Sequence, residues 1–296
     1  MFTKRTDLAL EAQELFQESA EKTTRLEGVK ALRRRKEGYS TTRGDVLDGR
    51  GAKALGKPEG TYMTLDLTSF WQRKPDFFER AVRLVGTELQ ALLPSEGAAL
   101  VVGLGNAAMT PDAVGPDTLS HLLITRHLLG AMPRQFSGFR PVCAFAAGVL
   151  GTTGVESAET VRALVRETKP DFVIAVDALA ARRVSRLCTT VQLSNTGIAP
   201  GSGVGNHRAA LTERTLGVPV LAVGVPTVVD AATLAADLLE DAGAALPEGK
   251  KLPGRGMTVT IRDIDARVRD LSKVLGYGIN WALQGLEISQ INALLS

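Results

Sequence analysis

The chain has 296 residues, of which 44% are hydrophobic, and this is enough to bury a substantial core in one large domain or two small ones. Its 35 lysines and arginines nearly balance its 32 aspartates and glutamates, so the net charge of +3 gives no argument for a nucleic acid or membrane partner. No apolar run reaches the roughly 18 residues of a membrane span, and the N-terminus lacks a signal-peptide core. We therefore expect a cytoplasmic protein.

The first part of the chain is charged and lacks long apolar stretches, so we interpret residues 8–60 as an N-terminal charged arm that lies on the main body. The segment GTYMTLDLTS that follows predicts an alternating strand. Between Pro75 and Pro94, apolar residues at helical spacing predict an amphipathic helix. We interpret residues 61–296 as a single α/β domain.

Four continuous apolar runs predict buried parallel strands: GAALVVGL, PVCAFAAG, DFVIAVDAL and VPVLAVGVP. Three further segments have the spacing of amphipathic helices: TPDAVGPDTLSHLLITRHLL, GVESAETVRALVRETKP and VDAATLAADLLEDA. A long terminal helix is predicted between Thr258 and Leu283. This alternation predicts an α/β fold with a mostly parallel sheet and helices on both faces.

Two acidic residues fall at the carboxyl ends of predicted parallel strands, where α/β proteins place their functional sites. Asp112 follows the strand that ends at Leu104, and Asp177 directly follows Val176. Each has an ordinary structural explanation, as a helix cap for Asp112 and as a partner of loop backbone for Asp177. Two neighbouring carboxylates, however, cannot easily both ionise, so one can serve as acid and the other as base. Such a pair could activate water for amide hydrolysis or bind a divalent metal.

Glycine-rich segments allow two interpretations. The GLGN of Gly103–Asn106 lacks the third glycine of a dinucleotide fingerprint, so a tight turn explains it better. The segment SNTGIAPGSGVGNHR contains Asn195, Gly201, Gly203 and Gly205. It is either a flexible surface connection or a loop whose backbone amides pair with an extended peptide substrate.

Four segments, in this order and spacing, carry a resemblance to a known family: KRTDLALEA, VVGLGNAAMTPDAVGP, VIAVDALAA and NTGIAPGSGVGN. They resemble the germination protease of spore-forming bacteria, an endopeptidase that starts the digestion of small acid-soluble spore proteins. The resemblance implies an α/β fold similar to hydrogenase maturation proteases, and a homotetramer in the cytoplasm of the spore core. It also implies that Asp112 and Asp177 are the two essential aspartates. We expect no direct contact with nucleic acid or membrane.

The resemblance further implies an inactive zymogen that removes its own N-terminal piece. Family substrates are cut between an acidic residue and a bulky apolar one, in a motif similar to TEFASE. The stretch TDLALE, from Thr6 to Glu11, resembles a copy of that motif. We therefore expect self-processing between Asp7 and Leu8, with residues 1–7 as a propeptide. The same stretch could begin an amphipathic helix, and the two interpretations are compatible.

Whether a metal takes part stays open from the sequence. The related hydrogenase maturation enzymes hold a metal with acidic residues at these positions, so Asp112 and Asp177 are the expected ligands if a divalent metal is used. Two cysteines and three histidines form no zinc-binding pattern in this chain. The alternative to a protease is a noncatalytic peptide- or metal-binding module of the same fold.

Overall fold

The computed structural model describes residues 4–19, 27–201, 208–244 and 256–296. Its strands are Val29–Lys36 (β1), Tyr39–Val46 (β2), Gly60–Asp66 (β3), Ala99–Leu104 (β4), Val142–Gly148 (β5), Phe172–Ala181 (β6), Thr190–Ser194 (β7), Val220–Asp230 (β8) and Thr258–Val259 (β9). Its α-helices are Ala9–Ser19 (α1), Gly49–Leu55 (α2), Phe77–Gln90 (α3), Val114–Leu119 (α4), Arg126–Ala131 (α5), Pro133–Phe136 (α6), Leu150–Thr153 (α7), Ser157–Thr168 (α8), Glu213–Leu216 (α9), Ala231–Asp241 (α10), Ile264–Gln284 (α11) and Ile288–Leu295 (α12). Short 3-10 helices occur at Thr68–Gln72, Thr110–Asp112 and Val184–Arg186.

The strands form one sheet in the order β1-β2-β3-β7-β8-β6-β4-β5, and β9 pairs with the end of β8. The four predicted apolar runs form β4, β5, β6 and β8, which lie side by side and parallel. The α/β class is therefore confirmed. The expectation of a mostly parallel sheet needs correction, because the other five of the eight described pairings are antiparallel.

Of the antiparallel half of the sheet, the sequence predicts β3, through the alternating segment GTYMTLDLTS, but misses the charged edge strand. Strand β1 has the sequence VKALRRRK, and six of its eight residues are exposed, so it lacks the alternation of a half-buried strand. Charged residues are tolerated on an edge strand, where they discourage pairing with other chains. Residues 29–66 thus extend the sheet through β1, β2 and β3. The division into residues 1–7, 8–60 and 61–296 stays a prediction.

Helices cover both faces of the parallel strands, as predicted. Alternate residues of a strand point to opposite faces, so each face carries its own core. On one face Val101 and Ile174 pack with α3 and α11, and on the other Leu100 and Val173 pack with α8. The helix predicted over residues 110–129 is instead divided into a 3-10 helix, α4 and α5.

Helix α4 approaches the ends of β4 and β6 more closely than a side chain would allow. A Cβ on Gly115 would lie 2.2 Å from the carbonyl oxygen of Leu104 and 2.5 Å from that of Val176. Both atoms belong to the backbone of central strands and cannot move aside cheaply. The glycine therefore sets the height of α4 above the sheet, and with it the position of the 3-10 helix that ends at Asp112.

We expect Gly115→Ala to lower the free energy of unfolding by at least about 2 kcal/mol, because the added methyl group forces α4 away from the strands. Urea unfolding followed by circular dichroism measures the change. Gly130→Ala is the matched control, since Gly130 is exposed in α5 and a Cβ there meets nothing within 4 Å. That control should gain roughly 0.5–1 kcal/mol, and equal effects of the two substitutions would contradict the close approach.

Candidate active site

Asp112 is held by the turn that follows β4. Its Oδ2 accepts a hydrogen bond from the backbone N–H of Asn106 at 2.8 Å. Gly105 adopts φ +106°, and a Cβ there would lie 2.0 Å from the carbonyl oxygen of Asp112, so glycine is required at the strand end. The hydroxyl of Thr227 donates to the carbonyl of Pro111 and ties the turn to β8. The GLGN segment thus serves as the tight turn that positions a carboxylate.

Asp177 lies inside β6, just beyond the part of that strand that β4 covers. The last β4–β6 pair joins Gly103 and Val176, whereas β6 continues to Ala181. The Asp177 side chain is buried, with 5% of its surface exposed, and its Oδ1 accepts from the backbone N–H of Ala178. Asp177 and Asp112 line one cleft, hereafter the aspartate cleft, at the end of the parallel strands.

The two carboxyl groups differ in their affinity for a proton. Burial raises the pKa of Asp112, against the opposing effects of the Asn106 N–H and the positive charge of Arg208. Burial raises the pKa of Asp177 well above its ordinary value near 3.8, and the negative charges of Asp112 and Asp7 raise it further. The Ala178 N–H opposes this shift only in part. Asp177 therefore retains its proton at pH values where Asp112 is already ionised.

Of the four predicted loop residues, the structure describes Asn195 and Gly201. Gly201 lines the aspartate cleft. Asn195 accepts a hydrogen bond from the backbone N–H of Thr61 through its Oδ1, at 2.8 Å, and so ties the loop to β3. Gly203 and Gly205 lie outside the described residues. A substrate-binding role for these four loop residues stays a prediction.

The N-terminal segment occupies the aspartate cleft. Asp7 lines the cleft together with the two predicted catalytic aspartates. Its backbone N–H donates to the carbonyl of Ala180 at 2.9 Å, and its Oδ2 accepts from the Ala180 N–H at 2.8 Å. These bonds use the edge of β6 that β4 leaves uncovered, so Asp7 takes up part of that edge, while the chain from Ala9 onward forms α1.

The two residues that flank the expected cut are held from both sides of the cleft. Leu8 is fully buried and packs in an apolar cluster with Leu179, Leu187 and Val229. The Asp7 carbonyl oxygen belongs to the Asp7–Leu8 peptide bond. It accepts hydrogen bonds from the side chains of Lys57, in the turn after α2, and Gln192, in β7. The expected scissile bond is therefore held from both sides, and Asp7 lines the same cavities as Asp177.

The acidic residue at the end of the TDLALE motif has its own binding site. Glu11 is fully buried, and its carboxylate accepts from the backbone N–H groups of Arg182 and Arg183 at 2.6 and 2.9 Å. The hydroxyl of Thr6 also donates to it. Burial raises the pKa of Glu11, and these hydrogen bonds oppose the shift. The first and last residues of the motif thus contact one another on the surface that β6 provides.

Sequence reasoning missed two residues of the site, Lys57 and Gln192. Their side-chain donors, Nζ and Nε2, lie 2.8 and 3.2 Å from the Asp7 carbonyl oxygen. Neither residue belongs to a motif, and both would pass for ordinary polar residues in a turn and a strand. For Lys57, the sequence offered one signal: in KALGKPEG it stands between a glycine and a proline, which is typical of a turn.

The residues present do not form an evident metal site. Within the described parts of the chain, no group of three or more histidines, cysteines, aspartates or glutamates has the geometry to hold a metal ion. Asp112 and Asp177 stay the predicted ligands for a divalent metal, if one is used.

We expect the retained proton of Asp177 to appear in the pH dependence of stability. Because the native state raises this pKa, it binds the proton more tightly than the unfolded chain does, and unfolding free energy falls as pH rises from about 3.8 toward the raised pKa. The slope reaches about 1.4 kcal/mol per pH unit for one proton. Asp177→Asn removes this contribution, so its stability should fall less than that of the unmodified chain between pH 4 and 8 in urea titrations.

The exposed Asp265 of α11 supplies the matched control for this measurement. Asp265→Asn should keep the pH slope of the unmodified chain. Parallel stability curves for Asp177→Asn and the unmodified chain would mean that Asp177 loses its proton as readily in the native state as in the unfolded one.

Comparisons with known proteins are consistent over most of the chain. Residues 9–243 match the family model described as germination protease. The germination protease of Caldanaerobacter subterraneus subsp. tengcongensis is 42% identical, with 98% of each chain covered. That of Clostridium perfringens is 40% identical, with 100% of each chain covered. That of Bacillus cereus is 42% identical over 86% of this chain and 72% of its own.

A solved structure, the [NiFe] hydrogenase maturation protease HycI from Thermococcus kodakarensis KOD1, shares 14% identity with a TM-score of 0.37, covering 65% of this chain and 98% of that one. In the described parts of the chain, no helix combines the length and hydrophobicity needed to cross a membrane. The family model and the full-length relatives together show that the chain belongs to the germination protease family of peptidases.

Proposed function

We propose that this peptidase is made as a zymogen that cuts itself between Asp7 and Leu8, and that Asp112 and Asp177 carry out the cleavage. The observation that supports the proposal is the position of the TDLALE motif: Asp7 lies in the aspartate cleft and bonds to Ala180, and the motif continues into the first turn of α1. A bound peptide segment that shares a cleft with two carboxyl groups of unequally raised pKa is an arrangement suited to acid–base hydrolysis.

The proposed reaction uses one ionised and one protonated aspartate. The Asp112 carboxylate removes a proton from a water molecule, whose oxygen attacks the carbonyl carbon of Asp7. Asp177 gives its proton to the nitrogen of Leu8 as the carbon–nitrogen bond breaks. The products are a carboxyl group on Asp7 and an amine on Leu8, and transfer of the proton from Asp112 to Asp177, by way of solvent, restores the starting state of both aspartates.

The same contacts explain how the uncut chain would be inactive toward other proteins. While Asp7 is bonded to Ala180 and Leu8 fills its cavity, an external peptide cannot use that strand edge or that cavity. Removal of residues 1–7 takes away the Asp7 side chain and its bond to Ala180, and Leu8, now at the N-terminus, must then leave its cavity before a substrate can enter. We infer that the freed cleft then accepts substrates with an acidic residue before the cut and a bulky apolar residue after it.

We further propose that the substrates are small acid-soluble spore proteins, cut in the spore-core cytoplasm during germination, and that the chain assembles as a homotetramer. These proposals rest on membership of the germination protease family. Incubation of the processed chain with a TEFASE peptide tests the specificity, and light scattering tests the assembly. Binding of that peptide without cleavage would favour the alternative of a noncatalytic peptide-binding module.

We expect Asp112→Asn and Asp177→Asn each to slow self-processing by about 10²–10⁴-fold, because each removes one partner of the proton transfer. Intact mass spectrometry of the purified chain follows the loss of residues 1–7. Asp117→Asn, in the neighbouring helix α4, is the matched control and should process at the rate of the unmodified chain. Added chelator reports whether a divalent metal contributes. Processing that persists in both active-site variants would rule out this pair.

We expect Glu11→Gln to slow self-processing by roughly tenfold or more, because the amide places its N–H₂ group against one of the two backbone N–H donors in a buried site. The same mass measurement follows the reaction. Glu14→Gln is the control on the same helix, since Glu14 only pairs with Arg186 near the surface. Equal rates for the two variants would show that the Glu11 site does not hold the segment for cleavage.

A further inference from the structure

The carbonyl oxygen of the expected scissile bond has two side-chain hydrogen-bond donors. Lys57 Nζ lies 2.8 Å from the Asp7 oxygen, and Gln192 Nε2 lies 3.2 Å from it. The Gln192 Oε1 accepts from the backbone N–H of Ala9 at 2.6 Å. This second bond fixes which end of the amide faces Asp7, so the N–H₂ group must point at the carbonyl oxygen. One glutamine therefore holds the peptide on both sides of Leu8.

The fold places these donors independently of the segment they bind. Helix α2 ends at Leu55, and Gly56 adopts φ +62°, which turns the chain so that Lys57 follows directly. Gln192 pairs with Gly224 of β8 in the sheet, and Gly224 pairs with Asp177 of β6. Residues in such a row project to the same face. Gln192 and Asp177 thus share a face, with only a glycine between them.

The donors and Asp112 lie on different sides of Asp7. One cavity is lined by Lys57 and Gln192, and the neighbouring aspartate cleft is lined by Asp112, whereas Asp7 and Asp177 line both. Attack by water from the Asp112 side would therefore drive charge onto an oxygen that already faces the two donors. This is the geometric requirement for an oxyanion site.

We propose that Lys57, assisted by Gln192, stabilises the negative charge that develops on the carbonyl oxygen during cleavage, and is thus a catalytic residue of this peptidase. The inference rests on the proposed self-processing function. As the water oxygen bonds to the Asp7 carbon, the electron pair of the carbonyl π bond moves to the oxygen, where the ammonium and amide N–H groups bind it. When the bond to the Leu8 nitrogen breaks, that pair re-forms the carbonyl.

The surroundings strengthen this interaction. Lys57 is partly buried, and burial lowers the pKa of its ammonium group, while the negative charges of Asp7 and Glu11 oppose the shift. A positive charge removed from water interacts more strongly with a nearby oxyanion than a solvated one does. An ordinary surface lysine would lack this advantage.

The test compares self-processing rates of the full chain carrying Lys57→Met, Lys57→Arg or Gln192→Glu. We expect Lys57→Met to slow cleavage by about 10²-fold or more, as loss of an oxyanion donor does. Lys57→Arg should restore part of the rate because it keeps the charge. Gln192→Glu keeps the acceptor for the Ala9 N–H but removes the donor to Asp7, so it should also slow cleavage. Lys53→Met, at an exposed position of α2, is the matched control.

Amide hydrogen exchange at Asp7 and Ala9 separates catalysis from simple tethering. Under the proposal, Lys57→Met keeps both amides protected while the rate falls. Loss of protection together with the rate, or a rate equal to that of Lys53→Met, would overturn it. If Lys57→Met fails to fold, the cleavage rates and amide protection of Lys57→Arg and Gln192→Glu are measured instead. The same outcomes then support or overturn the proposal.

The outcome also distinguishes this inference from the function on which it rests. If the cleavage rate falls in Asp112→Asn but not in the Lys57 and Gln192 variants, only the proposed oxyanion role is wrong. If the unmodified chain never cuts after Asp7, or if the Asp112→Asn variant cuts as fast as the unmodified chain, both proposals are wrong.

Discussion

The site depends on one mismatch in strand length. Strand β4 stops pairing with β6 at Val176, and β6 runs on to Ala181 with one edge uncovered. The first residue past that point is Asp177, and the uncovered backbone of Ala180 binds Asp7. A strand edge without a partner is a template for another chain segment. Residues 177–181 of β6 therefore supply both a buried carboxyl group and the strand edge that a peptide can contact.

Burial at this position makes the ionisation of the aspartates interdependent. Asp177 is surrounded by protein, and the charges of Asp7 and Asp112 act on it through little water. Ionising all three at once would be costly, so the site retains a proton at the member that is buried most deeply. Lys57 offsets part of the negative charge from one side, and Arg208 acts on Asp112 from the other. Proton retention and charge compensation are thus consequences of the same burial.

The N-terminal segment is held more strongly than a single recognition contact would require. Before the expected cut, Lys4 pairs with Asp237 and Glu240 of α10, and the Arg5 backbone donates to Thr233. After it, the contacts belong to Leu8 and to the rest of the TDLALE motif, which remain part of the folded chain. Asp7, at the end of the leading piece, is also hydrogen-bonded to Ala180, Lys57 and Gln192, and the Lys4–Asp237 pair is buried. Under the proposed function, the leading piece therefore keeps these contacts at the moment of cleavage and loses only its covalent link to Leu8.

The sequence by itself determined the features that local patterns encode. Continuous apolar runs identified β4, β5, β6 and β8, because strands buried on both faces need apolar residues throughout. The strand-end rule singled out Asp112 and Asp177, and the TDLALE copy identified the expected processing site; their catalytic roles stay predictions. The alternation in GTYMTLDLTS also predicted β3, but the charged β1 carried no such pattern, so the rest of the antiparallel half of the sheet appeared only in the tertiary structure. The sheet register alone brought Gln192 into line with Asp177, and the turn after α2 brought Lys57 to the same oxygen. Such convergence has no local signature, because it depends on distances between segments that are far apart along the chain.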